Sequence, residues 1–271
     1  MAATAPRAMR SVSAFTPRLL AQVIALVAGR GFEAGSMGAS GRSWLREECL
    51  MIVFGSTLSP YVRKVMVFGA EKGLVLELKG AGMGRGGEDF AAASPFGKMP
   101  GFQDGDFRIS DSTAIVTYLE AKFPEPALIP AEPEDRARTI WFDEFADTLM
   151  MAAGSAIFGE RFVRPRVLKQ EGDLKAADDA EHRLLPPLFD YLEAVAPEQG
   201  YLVGDRLTLA DIAVASPLAT LRCIGVQACE VQYPRTTVWL ERILARPSFA
   251  DIVIKDAALV KALGGPAVAA A

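Results

Sequence analysis

The sequence is poor in the residues that most enzymes use as reagents. It has one histidine, His182, and three cysteines, Cys49, Cys223 and Cys229, in 271 residues. His182 lies among Asp178, Asp179 and Glu181 on a helix-like, solvated stretch, so a surface role is expected and no Ser/His/Asp or Cys/His set can be built around it. The cysteine count is odd, with no CxxC and no histidine at metal-ligand spacing. The expectation is therefore free thiols in a reducing, cytoplasmic compartment, with no disulfide and no metal site. There is no extended basic block and the net charge is −4, which argues against nucleic acid or an acidic membrane surface as the main partner. The apolar run "LLAQVIALVAG" is eleven residues, about half the length that spans a bilayer.

What is present is an ordinary globular composition, 51% hydrophobic and 23% charged, with material for one large core or two smaller ones; two domains are expected. Residues 1–48 stand apart: they hold five arginines before Ser43, one early acid (Glu33) and many Ala, Ser and Gly. A targeting segment, a disordered tail and translated upstream DNA are competing readings. The expectation is an extension that is disordered or not part of the native protein, with the true start at Met51.

From there the pattern alternates. "LMIVFGS" is a short buried strand, a continuous apolar run ended by Gly55 and Ser56. Pro60 suits a first helical turn, Val62, Val65, Met66 and Gly69 follow at helical spacing, and Gly73 stops the run. "LVLELKG" is a second strand, and a short helix around Asp89 to Ala93 leads to Pro95. "PGFQDGDFRIS" is a hairpin turned at Asp104 to Asp106, and "SDSTAIVTYLEAKF" is a helix with Ile115, Tyr118 and Leu119 on one face. The order is βαβ then ββα over 51–123. Four prolines between Pro124 and Pro133 mark a linker at 124–135. Residues 136–260 are helical in pattern, and 261–271 form an Ala-rich tail expected to fray. Within the helical half, Thr208 as N-cap, Asp211 at N3 and the Leu207/Ile212 pair spell a capping box with a hydrophobic staple.

Some candidate motifs fall away. "GMGRGG", Gly82 to Gly87, has the spacing of a dinucleotide loop, but Pro95 cuts the next helix short, a hairpin follows instead of a second crossover, and Glu88 stands where a phosphate-binding lysine would be; a flexible loop is expected. The segment "AGSAIFGERFVRPR" has two readings. Either Phe158 and Phe162 with Arg161 and Arg164 form a partly aromatic wall with a cationic rim for a substrate, or the phenylalanines are core and the arginines solvated.

Others hold together. Proline in the strand-like "FGKMPGF" belongs at a sheet edge, where backbone at Met99 can pair with an extended peptide and a cis bond before Pro100 would expose it. "SDS", Ser110 to Ser112, places an acid and hydroxyls at a helix N-terminus, which favours a bound carboxylate. Together these describe a site for a small peptide with a free carboxylate. Ser59, just before Pro60, has an oxygen able to cap the helix and an O–H able to donate to a ligand above it.

"SPYVRKV", "SPFGKMPGF", "ISDSTAIVTYLE" and "YLVGDRLTLADIAVASPLATL", in this order over residues 51 to about 250, resemble the cytosolic glutathione S-transferase family, in a serine-type, bacterial-like form. The resemblance implies an α/β thioredoxin-like N-terminal domain that binds glutathione as co-substrate. It also implies an all-α C-terminal domain that supplies a pocket for a small hydrophobic electrophile, and a homodimer. By position it makes Ser59 the catalytic serine and Met99 the residue whose backbone pairs with the cysteinyl unit. Asp111 and Ser112 become the pair that holds the γ-glutamyl end, and Lys98 a contact to the glycyl or cysteinyl part. No cysteine stands at position 59, which disfavours the thiol-transferring members, and the "SSCSWRVRIAL" signature of maleylacetoacetate isomerases is absent. Asp111 is shorter than the glutamate the family often has there. The implied function is a glutathione transferase acting on a small hydrophobic electrophile or peroxide. A binding or scaffold protein on the same fold is the alternative.

Overall fold

The computed structural model describes residues 51–267; the expected extension over 1–48, and Cys49, lie outside the described residues. Strand β1 (Met51–Phe54) leads into helix α1 (Pro60–Glu71), then β2 (Leu76–Lys79), α2 (Gly87–Ala93), β3 (Gly101–Asp104), β4 (Phe107–Ser110) and α3 (Ser112–Lys122). The sheet order is β2-β1-β3-β4. β1 runs parallel to β2 with Met51 opposite Leu76, and antiparallel to β3 with Phe54 opposite Gly101. β3 and β4 form the expected hairpin, Asp104 facing Phe107, with Gly105 at φ 59° in the turn. This is the α/β thioredoxin-like arrangement.

Alternation along β1 divides its residues between two cores. Val53 joins Val62, Val65 and Phe68 of α1 and Ile115 and Leu119 of α3 on one face; Phe54 meets Phe90 and Ala93 of α2 on the other. Gly69 is required by contact, since a Cβ there would lie 2.4 Å from Leu76 Cδ1. The "GMGRGG" segment is a closed turn and not a loose loop: Gly82 N–H donates to the Arg85 carbonyl (3.0 Å), and Arg85 N–H donates back to that of Gly82 (3.1 Å).

Beyond α3 the described chain is helical. Helix α4 (Pro133–Glu144) widens through a π-helical stretch, Phe145–Met150, into α5 (Met151–Phe158), and a second such stretch, Gly159–Leu168, follows. Next come α6 (Leu174–Asp179), a third π segment at Ala180–Leu184, α7 (Leu185–Val195), α8 (Leu209–Arg222), α9 (Pro234–Leu244) and α10 (Pro247–Ala262). None of these helices is long and apolar enough to cross a membrane. The expected linker ends early, because Pro133 already opens α4 with the fixed φ that a first helical position favours. Its middle is packed: Leu128 and Ile129 are buried, and Lys72 Nζ, from the end of α1, donates to the carbonyls of Phe123 (2.7 Å) and Pro126 (2.8 Å). The start of the expected tail is likewise ordered, since α10 continues to Ala262, Gly265 N–H donates to the Val260 carbonyl (2.9 Å) and Leu263 packs near Phe162. Gly264, at φ 81°, supplies the left-handed turn that closes the helix.

The capping box forms. Thr208 N–H donates to Asp211 Oδ2 at 3.2 Å, while Asp211 Oδ1 accepts from Leu202 N–H (2.9 Å) and Trp239 Nε1 (3.0 Å). Asp211 thus ties the start of α8 to the preceding loop and to α9. Helix α8 is buried along nearly its whole length and packs against α1 and α4, so one continuous core runs from the sheet into the helical half.

Candidate functional site

The N-terminus of α1, the segment before β3 and the N-terminus of α3 meet beside α4. They enclose a cleft of about 1360 Å³ whose lining includes Lys98, Met99, Asp111 and Ser112. These four sequence-predicted residues come together because β3 runs antiparallel to both β1 and β4, with Gly101 opposite Phe54 and Ser110, so the segment before β3 lies at the same end of the sheet as the starts of α1 and α3. The Met99–Pro100 bond is cis, and Met99 sits two residues before Gly101 enters the ladder. Asp111 holds φ 84°, a backbone region that non-glycine residues rarely adopt and that tends to mark functional positions. Its Oδ1 accepts from Ala114 N–H at 3.0 Å, capping α3. The buried Ser112 hydroxyl lies 3.5 Å from Asp147 Oδ2, and Lys98 is exposed at the rim.

Ser59 is placed differently from the other four. It does not line the cleft; Tyr61, two residues on, does. Its neighbour Pro60 instead forms part of a separate open hollow of about 190 Å³, lined also by Met151, Gly154, Phe158, Val163 and Pro217 among others. The serine lines neither, and stands one residue before Pro60 of the hollow and two before Tyr61 of the cleft. Ser59 occupies the N-cap position of α1 with an extended backbone, yet its side chain makes no capping hydrogen bond. That corrects the expected double role: the backbone carbonyl accepts from Arg63 N–H (2.9 Å), and the hydroxyl is not used by the helix.

Sequence reasoning missed the polar layer beneath the site. Lys64 is buried on α1, its Nζ within 2.7 Å of Asp143 and 2.6 Å of Asp147, and it donates to Thr113 Oγ1 at 3.2 Å. The Tyr61 hydroxyl donates to the Asp147 carbonyl (3.0 Å). Burial, with the negative charges of Asp147 and Asp111, pushes the Tyr61 phenol up to about 12. Burial also raises the Asp147 carboxyl, helped by Asp143 and Asp111 and opposed by Lys64. The one signal available was the acidic spacing Asp143/Asp147 within a helical run. Arg63 is fully buried too: it meets Asp256 of α10 at 2.7 Å and donates to the Ser216 carbonyl (2.5 Å) and Thr220 Oγ1 (2.7 Å). Thr57 Oγ1 donates to the same Asp256 (2.5 Å), so the loop carrying Ser59 is pinned to the helical half.

Of the two readings of the "AGSAIFGERFVRPR" segment, the structure gives core and surface for Phe162 and Arg161. Phe162 is 1% exposed and packs with Cys223 and Val260, and Arg161 is paired with Asp178 (2.7 Å) and Glu181. They are core and surface because the wide turns after Gly159 rotate them away from the hollow; Phe158 alone of that group lines it. His182 is exposed, its Nδ1 2.8 Å from the Asp178 carbonyl. Cys223 is a buried free thiol raised to about 11 by burial, and Cys229 is free and exposed.

Residues 53–127 match the glutathione S-transferase N-terminal domain and 145–247 the glutathione S-transferase C-terminal domain. The chain is 31% identical over 208 residues to glutathione S-transferase 3 of Zea mays, covering 74% of this chain and 92% of the maize protein. It belongs to the glutathione S-transferase family. A crystal structure of a family member from Rhodospirillum rubrum superposes with a TM-score of 0.68 at 26% identity, over 75% of this chain and 91% of that one. A stringent starvation protein A homolog of Coxiella burnetii is 27% identical over 177 residues, 65% of this chain and 78% of that protein.

Glutathione carries one ammonium and two carboxylates. The lining of the cleft offers the acids Asp111, Glu144 and Asp147, the N-terminus of an eleven-residue helix and the cation Lys98.

Proposed function

We propose that the protein is a glutathione transferase that lowers the pKa of the glutathione thiol with Ser59 and directs the thiolate at a small hydrophobic electrophile. The observation that carries this reading is the Ser59 hydroxyl, left unused by the helix it heads, one residue before Pro60 of the apolar hollow and two before Tyr61 of the cleft. In this reading Asp111 and Ser112 hold the γ-glutamyl end, the Met99 backbone pairs with the cysteinyl unit and Lys98 meets the glycyl or cysteinyl part. A free thiol with a pKa of about 8.5 is mostly protonated at neutral pH, and an O–H donor together with a helix N-terminus stabilises its anion. The protein supplies the field and the co-substrate supplies the nucleophile. A cytoplasmic homodimer belongs to the same reading, supported by the unpaired thiols and by Phe96, 90% exposed on the cleft rim, a side chain that a second copy would cover.

Retention on immobilised glutathione followed by turnover of a chlorinated aromatic acceptor tests the activity, and sedimentation tests the dimer. Retention without turnover of several acceptors would favour a binding or scaffold protein on the same fold.

A further inference from the structure

The hollow beside Pro60 has a volume of about 190 Å³, somewhat above the roughly 150 Å³ engineered cavity that takes up a benzene ring. No charged side chain lines it, and one of its two hydroxyls, on Thr220, is already bonded to Arg63 and to the Leu58 carbonyl. An anion entering it would lose water without gaining a partner. The room comes from two glycines. A Cβ built at Gly154 or Gly159 meets no heavy atom within 4 Å, in contrast to Gly69, where Leu76 fills the space. Both sit in helical backbone, Gly159 at φ −60° and ψ −53°, where glycine lowers helix stability relative to alanine and no turn calls for it. What their missing side chains provide is the hollow itself.

We infer that Gly154 and Gly159 set the acceptor specificity: the hollow admits an uncharged electrophile no larger than a single substituted ring, and rejects anionic and fused-ring acceptors. This rests on the conjugation reading above. With a benzylic halide, a sulfur electron pair forms the new C–S bond as the carbon–halogen bond breaks. The halide departs with that bond's pair, and the thiol proton passes to solvent.

The test uses the full chain with glutathione and four halides: iodomethane, benzyl chloride, 4-(chloromethyl)benzoate and 1-(chloromethyl)naphthalene, each corrected for its uncatalysed rate. The wild type should favour benzyl chloride over the anionic and the fused-ring acceptor by about tenfold or more in kcat/KM. Gly154→Val and Gly159→Val should lower the benzyl-to-methyl ratio of kcat/KM by a similar factor; Gly154→Ala, which helix propensity favours, guards against loss of folding. An unchanged ratio in both valine variants, with the wild type still turning over, would overturn the glycine assignment and leave conjugation standing. If the wild type turns over no halide, the conjugation reading falls, and binding decides the rest. S-benzylglutathione should bind about tenfold tighter than S-methylglutathione to the wild type and not to Gly154→Val; equal binding to the wild type overturns the inference.

Discussion

Replacing Ser59 with alanine separates the serine's chemistry from its place at the head of α1. Its side chain makes no capping hydrogen bond, so the substitution removes no helix contact, and the stability cost should fall well below the ~1 kcal/mol of a lost N-cap. A hydrogen bond to a charged acceptor is worth about 1.5–3 kcal/mol. At about 1.36 kcal/mol per pKa unit, its loss should raise the pKa of bound glutathione by roughly one to two units. Below both pKa values the thiolate fraction, and with it the rate, drops by about 10- to 100-fold. Above the variant's pKa both enzymes hold thiolate and the rates converge. The assay is kcat as a function of pH, paired with ultraviolet titration of the bound thiolate, for the wild type, Ser59→Ala and Ser59→Thr. Ser59→Thr keeps a donor and should keep the wild-type profile. A Ser59→Ala profile with an unshifted midpoint would refute the donor role, whatever the size of the loss.

Asp211→Ala strands Leu202 N–H, Thr208 N–H and Trp239 Nε1, so urea unfolding should show a loss of about 3 kcal/mol or more, with the glutathione KM of the surviving native protein nearly unchanged. Asp256→Ala leaves the buried Arg63 guanidinium without its counter-ion and should cost about 3–5 kcal/mol. The double variant Arg63→Met/Asp256→Leu should be less damaging than the two single changes added together, as a double-mutant cycle would show. Asp111→Asn keeps an N-cap acceptor and tolerates the positive φ; it should raise the glutathione KM about tenfold with little change in Tm, while Asp111→Ala should also lose ~1 kcal/mol of stability.

Much of the fold was legible because its signals are local. The continuous apolar run in "MIVF", the hairpin around Gly105, Pro60 at a first helical turn, and the Thr208/Asp211 box each state their structure within a few residues. The chain alone therefore determined the α/β half, the helical half and the family motifs that collect Lys98, Met99, Asp111 and Ser112. It did not reveal that Arg63 and Lys64 are buried, because their partners Asp256 and Asp143 lie 193 and 79 residues away, and helical periodicity reports only what an element does with its own apolar face. It left Phe162 and Arg161 open between site and scaffold, since π-helical turns after Gly159 shift the register by which a 3.6-residue period assigns faces. Nor did it show the hollow. A glycine in a helical run has the same local meaning whether its missing side chain is filled by Leu76, as at Gly69, or by nothing, as at Gly154; only the packing of α1, α5 and α8 against one another decides which space stays empty.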